Sequence, residues 1–161
     1  MAETKGKAAR AKAYLERLEQ CDARINAMQC KIDDLYEQAT WITSRLRQDV
    51  VSGGGNRDKI GDPAAKIADL RSKIEQQRAF YVDLQQDANE ILNKLQNNVY
   101  YTILYRRYML GNEWDVIAAE IGKGVRWTQS LHGYALVAFA ELLTEKYTSE
   151  AGEAEKGQNG A

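Results

Sequence analysis

The chain has 161 residues, of which 44% are hydrophobic and 28% charged, with a single proline and a formal net charge of −1. This composition is typical of a soluble, folded protein rich in helix-forming residues, and the length suits one domain or two small ones. No apolar run approaches the roughly 20 residues that span a bilayer, and the N-terminus lacks the apolar core of a signal peptide. We therefore expect an all-α cytoplasmic protein.

The residues that carry enzyme chemistry are sparse. Cys21 and Cys30 are too few for a disulfide framework or a zinc site, and His132 is the only histidine. The glycines at 53–55 lack the spacing of a phosphate-binding loop and do not follow a predicted strand. With no acid pair and no nucleophile–base set, we expect no catalytic residues, no metal site and no cofactor.

The first fifty residues predict a long helix with one apolar seam. Residues 1–10 are polar and are predicted to be disordered. Beyond them, apolar residues recur at alternating spacings of four and three, which is the heptad pattern of a coiled coil. This seam consists of Tyr14, Leu18, Cys21, Ile25, Met28, Ile32, Leu35, Ala39, Ile42 and Leu46.

A second heptad helix is predicted over residues 63–98, after a glycine-rich loop at 51–62. Asp62 suits the N-cap position and Pro63 the first helical position. The second seam consists of Ile67, Leu70, Ile74, Gln77, Tyr81, Leu84, Ala88, Ile91 and Leu95. Residues 11–98 are thus predicted to form an antiparallel coiled-coil hairpin. Its off-seam Trp41, Phe80 and Val82 favour burial against a second copy or the C-terminal module, so we expect a homodimer.

Residues 99–148 predict a small helical module. Gly111 ends a helix over 99–110, and Asn112 with Asp115 predicts a capping pair for the next helix. A helix-turn-helix pattern then follows. Ile117, Ala118 and Ile121 share one face of a first helix, and the turn at 122–124 is rich in glycine. The apolar period of a second helix consists of Val125, Thr128, Leu131, Ala135 and Leu136. Residues 149–161 are predicted to be a disordered acidic tail.

The C-terminal segment resembles region four of bacterial sigma factors. It is more similar still to small phage and prophage proteins related to the ArpU/RinA-like late-gene transcriptional regulators. The residues that carry the resemblance are Arg107-Tyr108, G-x-x-W at 111–114, Ile117-Ala118 and L-H-G-x-A-L at 131–136. The stretch 58–70 is also similar to that group.

The resemblance implies a transcriptional regulator that binds double-stranded phage promoter or operator DNA in a bacterial host and contacts RNA polymerase. Arg126 and Gln129 are the base-reading candidates, because they can form bidentate hydrogen bonds to guanine and adenine. His132 is a candidate for a phosphate or surface contact. The full predicted DNA-binding set is Lys123, Val125, Arg126, Trp127, Gln129, Ser130 and His132, with Gly133 on the same exposed side.

Two further interpretations stay open. Between Asn97 and Tyr147 five cationic side chains face five carboxylates, whereas a DNA-binding module usually has a basic surface. Apolar residues at 137–139 also stand where the related phage proteins have lysines. Both observations favour an adaptor whose degenerate helix-turn-helix binds RNA polymerase or another phage protein. A small terminase subunit is the other alternative.

Overall fold

The computed structural model describes residues 1–48 and 58–158, without the side chains of 46, 48, 58–62 and 151–158. Five α-helices make up these ranges: α1 (Ala2–Gln48), α2 (Asp58–Leu92), α3 (Asn98–Leu104), α4 (Trp114–Ile121) and α5 (Val125–Gln158). The described ranges contain no strand, so the predicted all-α class is confirmed. Within the same ranges, no helix combines the length and the apolar character that crossing a membrane requires.

The chain divides into two compact units, and the division differs from the predicted one. Residues 20–82 form one unit, while residues 1–19 and 83–161 form the other. We call them the hairpin unit and the C-terminal unit. The start of α1 and the last ten residues of α2 therefore belong with α3, α4 and α5, not with a separate hairpin over 11–98.

The hairpin unit is formed by two antiparallel helices. As α1 advances from Met28 to Tyr36, its neighbours on α2 move back from Gln77 to Arg71, whose guanidinium donates to the Tyr36 hydroxyl at 2.7 Å. The core of this unit is small, because few of its seam residues are buried and the others keep part of their surface exposed. Ile32, Ile67 and Ile74 are buried, and Ile25, Met28, Leu35 and Leu70 pack half-buried against them.

The C-terminal unit holds the larger core. Its largest fully buried side chains come from all five helices, and Phe139 of α5 packs on Tyr14 of α1 with ring centroids 5.9 Å apart. Lys146 of α5 donates to Asp87 at 2.9 Å and to Glu90 at 3.1 Å on α2. These hydrogen bonds to two carboxylates raise the pKa of Lys146. The buried set includes Ala11, Leu15, Leu18, Leu84, Ala88, Ile91, Leu92, Ile103, Leu104, Ile117, Ala118, Ala135, Leu136 and Ala140.

Both predicted disordered ends are helical over their described residues. Helix α1 begins at Ala2, and Lys7 pairs with Glu141 of α5 at 3.7 Å, so residues 1–10 form part of the C-terminal unit. Helix α5 continues to Gln158. The alanine, glutamate and lysine residues of that segment have high helix propensity, which continues the helix beyond its packed region.

The second long helix is shifted towards the N-terminus. It begins at Asp58, which places Pro63 inside the helix rather than at its first position. It ends at Leu92 rather than at residue 98. The Asn97 side chain then accepts hydrogen bonds from the Val99 and Tyr100 amides and so starts α3. The rest of the predicted loop, residues 51–57, lies outside the described residues, as do residues 49 and 50.

The link between α3 and α4 also departs from the prediction. Tyr105–Met109 continue α3 as a π turn, with the Leu110 amide donating to the Tyr105 carbonyl at 3.2 Å. Gly111 has a φ of 67°, which fits its predicted role in ending the helix. The predicted Asn112–Asp115 capping pair is wrong: Glu113 is the N-cap of α4 and makes no side-chain capping bond, and the buried Oδ1 of Asn112 has no partner in the described chain.

Phe139 tests the packing of α1 on α5. We expect Phe139→Ala to lower the free energy of unfolding by about 3–5 kcal/mol, because it deletes a fully buried aromatic ring and leaves a cavity. Urea unfolding followed by circular dichroism measures this loss. Tyr134→Ala, on the same helix but 64% exposed, is the control and should cost less than about 0.5 kcal/mol. Equal losses from the two variants would contradict the packing described here.

Candidate nucleic-acid interface

A short turn between α4 and α5 positions the predicted DNA-binding residues. Gly122 has a φ of 67°, a left-handed conformation that a residue with a Cβ rarely adopts. The Gly122 amide donates to the Ala119 carbonyl and the Lys123 amide to the Ala118 carbonyl, which is the Schellman pattern of helix termination. Helix α4 therefore ends at Ile121, and α5 begins at Val125 after a three-residue turn.

Helix α5 begins directly after this turn, and its Thr128 is hydrogen-bonded to the last residue of the turn. Thr128 is fully buried, and both its amide and its hydroxyl donate to the Gly124 carbonyl, at 2.9 and 3.0 Å. Because a buried hydroxyl needs a hydrogen-bond partner, this contact fixes the first turn of α5 to the turn that precedes it. The burial of Thr128 also sets which side of the helix faces the core.

Most of the predicted DNA-binding side chains lie on the opposite, exposed side of α5. Val125 is 41% and Trp127 59% exposed. The Ser130 hydroxyl donates to the Arg126 carbonyl of its own helix, at 3.1 Å. The exposed predicted residues are Lys123, Val125, Arg126, Trp127, Gln129 and Ser130, while Gly133 is half-buried.

Ion pairing divides the cations of this region into two groups. Arg106 pairs with Glu120 at 2.9 Å, Arg107 lies 3.9 Å from Glu113, and the Lys146 ammonium is held by two carboxylates. Lys123 and Arg126 form no ion pair with any described residue. Although the net charge between Asn97 and Tyr147 is near zero, the turn and the start of α5 therefore carry two positive charges with no ion-pair partner among the described residues.

His132 is half-buried and contacts Tyr108 and Trp114 instead of lying with these exposed residues, and its phosphate or surface contact stays a prediction. Its Nε2 is 2.9 Å from the Tyr108 hydroxyl, and its ring meets Trp114 edge-on with centroids 4.9 Å apart. Burial, with contributions from nearby Lys12 and Arg107, lowers the pKa of His132 to about 4. The imidazole is therefore neutral at pH 7 and joins α5 to the helices around it.

The π turn supplies two partners of this cluster. Its buried Tyr108 reaches His132, and burial together with Glu16 raises the pKa of the Tyr108 phenol, which keeps its proton at neutral pH. Arg107 lies 5.1 Å from the Trp114 ring centre and donates to the Asn112 carbonyl at 3.1 Å. The Arg107-Tyr108 pair thus holds α4 and α5 rather than facing outward.

Helix α1 contributes three residues that sequence reasoning did not assign to this site. Lys12, Glu16 and Glu19 line a cavity of about 280 Å³ together with His132 and Gln129. Their spacing of four and three puts them on one face of α1, but that spacing alone resembles any solvated helix surface. Among the described residues, no group of three or more His, Cys, Asp or Glu side chains could hold a metal ion.

The apolar stretch at 137–139 has an intramolecular explanation. Phe139 is fully buried against α1, and Val137 and Ala138 are half-buried. Packing within the chain therefore accounts for the apolar residue at 139, and it does not require another protein.

Comparison of this chain with protein-family models, with curated protein sequences and with solved structures gives no match.

The pKa of His132 predicts a pH dependence of stability. In the unfolded chain His132 has a pKa of 6.5 and becomes protonated below that pH, whereas in the folded chain it becomes protonated only near pH 4. Stability is therefore greatest above pH 6.5 and falls as the pH is lowered towards 4, by about 2 kcal/mol between pH 7 and pH 5. Urea unfolding at both values should show this loss in the native chain and not in His132→Gln. Parallel losses would show that His132 titrates normally.

Proposed function

We propose that the chain binds double-stranded DNA through the turn at 122–124 and the first turns of α5, as a sequence-specific transcriptional regulator of phage type. The observation that carries the proposal is the location of the unpaired cations. Of the five cations between Asn97 and Tyr147, Lys123 and Arg126 are the two left without a described carboxylate partner. Both are exposed, and both lie where a helix-turn-helix approaches DNA.

The composition of α5 supports the same proposal. Residues 125–140 contain no aspartate or glutamate, so no carboxylate of this segment opposes a phosphate. Arg126 and Gln129 are exposed and can form bidentate hydrogen bonds to guanine and to adenine. Lys123, in the turn, suits a phosphate contact that positions the helix without reading sequence. The phage character and the promoter or operator target rest on the resemblance described above.

We propose that the chain binds DNA as a dimer, in which the second copy adds its own half-site contacts and so raises the affinity for DNA. Two cations per half-site give modest binding, and linking two half-sites multiplies it. The hairpin unit favours such pairing because its core contains three buried aliphatic residues, while Trp41 and Val82 remain 59% and 56% exposed. In addition, the buried Oε1 of Gln77 has no hydrogen-bond partner in the described chain. Two hairpins packed as a four-helix bundle would cover these groups.

A second candidate function is an adaptor that binds RNA polymerase or another phage protein. Trp127 and Tyr134 are large and exposed, and their spacing of seven residues puts them on one face of α5. Exposed aromatic residues of this kind are typical of protein interfaces. DNA binding is preferred, because the two unpaired cations belong to the same surface.

The DNA-binding proposal is tested by mobility shift with fragments of the protein's own genomic neighbourhood over a range of salt. We expect Arg126→Ala and Gln129→Ala each to weaken binding to one fragment by about 1–3 kcal/mol and to reduce discrimination between fragments. Lys123→Ala should weaken binding to all fragments equally and lower the salt dependence by about one counterion. Arg10→Ala, an exposed arginine of α1, is the control. Absence of any shift at low salt would refute DNA binding and favour the adaptor.

The pairing proposal is tested by light scattering. The native chain should have twice the monomer mass of 18.2 kDa, and Trp41→Glu should return it to the monomer mass, because a carboxylate replaces an apolar contact. Thr40→Glu, the neighbouring exposed position, is the control and should stay dimeric. A ring-sized mass for the native chain would instead favour the small terminase subunit.

A further inference from the structure

Gly133 occupies a position that nothing within the chain explains. It lies in the interior of α5, where glycine is the least favourable residue after proline. Among the described glycines, Gly111 and Gly122 have a positive φ and Gly133 does not, so the backbone at Gly133 does not require a glycine. A Cβ built on Gly133 would meet no described atom within 4 Å, apart from its chain neighbours and its own helical backbone. No internal contact therefore excludes a side chain.

The exposed surface of α5 places this glycine at the centre of the proposed DNA-binding side. Arg126, Ser130, Gly133 and Val137 are spaced by four, three and four residues and so share one helical face. The buried Thr128, Ala135 and Phe139 define the opposite face. The core is therefore on the other side of α5, and the half-buried Gly133 keeps part of its surface open to solvent.

The neighbours of Gly133 form a notch in this face. Trp127 and Tyr134, 59% and 64% exposed, stand on one flank. Gln129 stands on the other flank, while Ser130 folds its hydroxyl back on the Arg126 carbonyl at 3.1 Å. The floor of the notch, at Ser130 and Gly133, is thus lower than its sides. We call this feature the Gly133 notch.

We propose that the Gly133 notch is where DNA approaches α5 most closely, and that the missing side chain allows the helix to enter the major groove deeply enough for Arg126 and Gln129 to reach base edges. This inference rests on the proposed function. DNA is the occupant because the notch is continuous with the unpaired Lys123 and Arg126 and because residues 125–140 carry no carboxylate. Glycine commonly occurs where a ligand approaches the backbone closely.

The test separates stability from binding by adding a side chain at 133. Gly133→Ala should raise the thermal midpoint by a few degrees, because alanine favours the helix. It should nevertheless weaken DNA binding by about tenfold, because the methyl group intrudes on a close contact. Gly133→Leu should abolish the mobility shift while circular dichroism stays native. A more stable variant that binds DNA less well cannot be explained by misfolding.

Gly6 provides the matched control. It is an exposed helical glycine of α1 with no described atom near a built Cβ, so Gly6→Ala and Gly6→Leu should leave DNA binding unchanged. Wild-type binding by both Gly133 variants would overturn the inference and leave the proposed function standing. If the native chain shifts no fragment, the proposed function fails and the inference fails with it. A change of oligomer mass in Gly133→Leu with DNA binding retained would place the notch between copies and also overturn the inference.

Discussion

The C-terminal unit depends on the burial of Phe139 against the N-terminal part of α1. Phe139 lies more than three turns beyond the start of α5. Its contact with Tyr14 anchors this helix, and the proposed DNA-binding residues lie at the N-terminal end of the same helix. Short helices such as α3 and α4 have little stability of their own, so they rely on α5 as a packing surface. The same anchor sets the rotation of α5 and hence which residues face solvent.

A second set of contacts fixes the start of α5 to α4 and to the π turn. The Thr128–Gly124 hydrogen bonds act at the first turn, and the His132–Tyr108 pair acts one turn later. Trp114 contacts the His132 ring and lies under the Arg107 guanidinium, and so links His132 to Arg107. Polar residues that the sequence pattern assigns to an exposed surface thus hold α4, α5 and the π turn together.

Periodicity predicted the helical elements well, because the period of apolar residues reports burial directly. Every described seam position of α1 from Tyr14 to Ile42 is buried or half-buried, and the glycine turn lies where the sequence placed it. The same pattern concealed the division of the chain. An unbroken heptad repeat looks identical whether its partner is α2 or α5, so nothing in it showed that residues 1–19 belong with the C-terminal unit.

The candidate site was predictable only in part, for a related reason. Exposure of Arg126 and Gln129 followed from helical spacing, whereas the inward position of His132 depends on Tyr108, 24 residues earlier in the chain. The π turn that places Tyr108 has no sequence signature comparable to a proline or a glycine. Contacts between residues far apart in the chain, such as Tyr108 and His132, and irregular segments such as the π turn cannot be predicted from local sequence patterns.

The π turn at Tyr105–Met109 also bears on how this chain can tolerate change in length. A π turn accommodates one residue more than an α-helix over the same span, so it resembles an insertion absorbed without breaking the helix. Removing one residue there would restore ordinary α-helical hydrogen bonding, yet it would rotate everything that precedes it by about 100° relative to Gly111. Because Ile103 and Leu104 precede the turn and are fully buried, that rotation would turn both side chains away from the core, so the packing of α3 depends on the extra residue of the π turn.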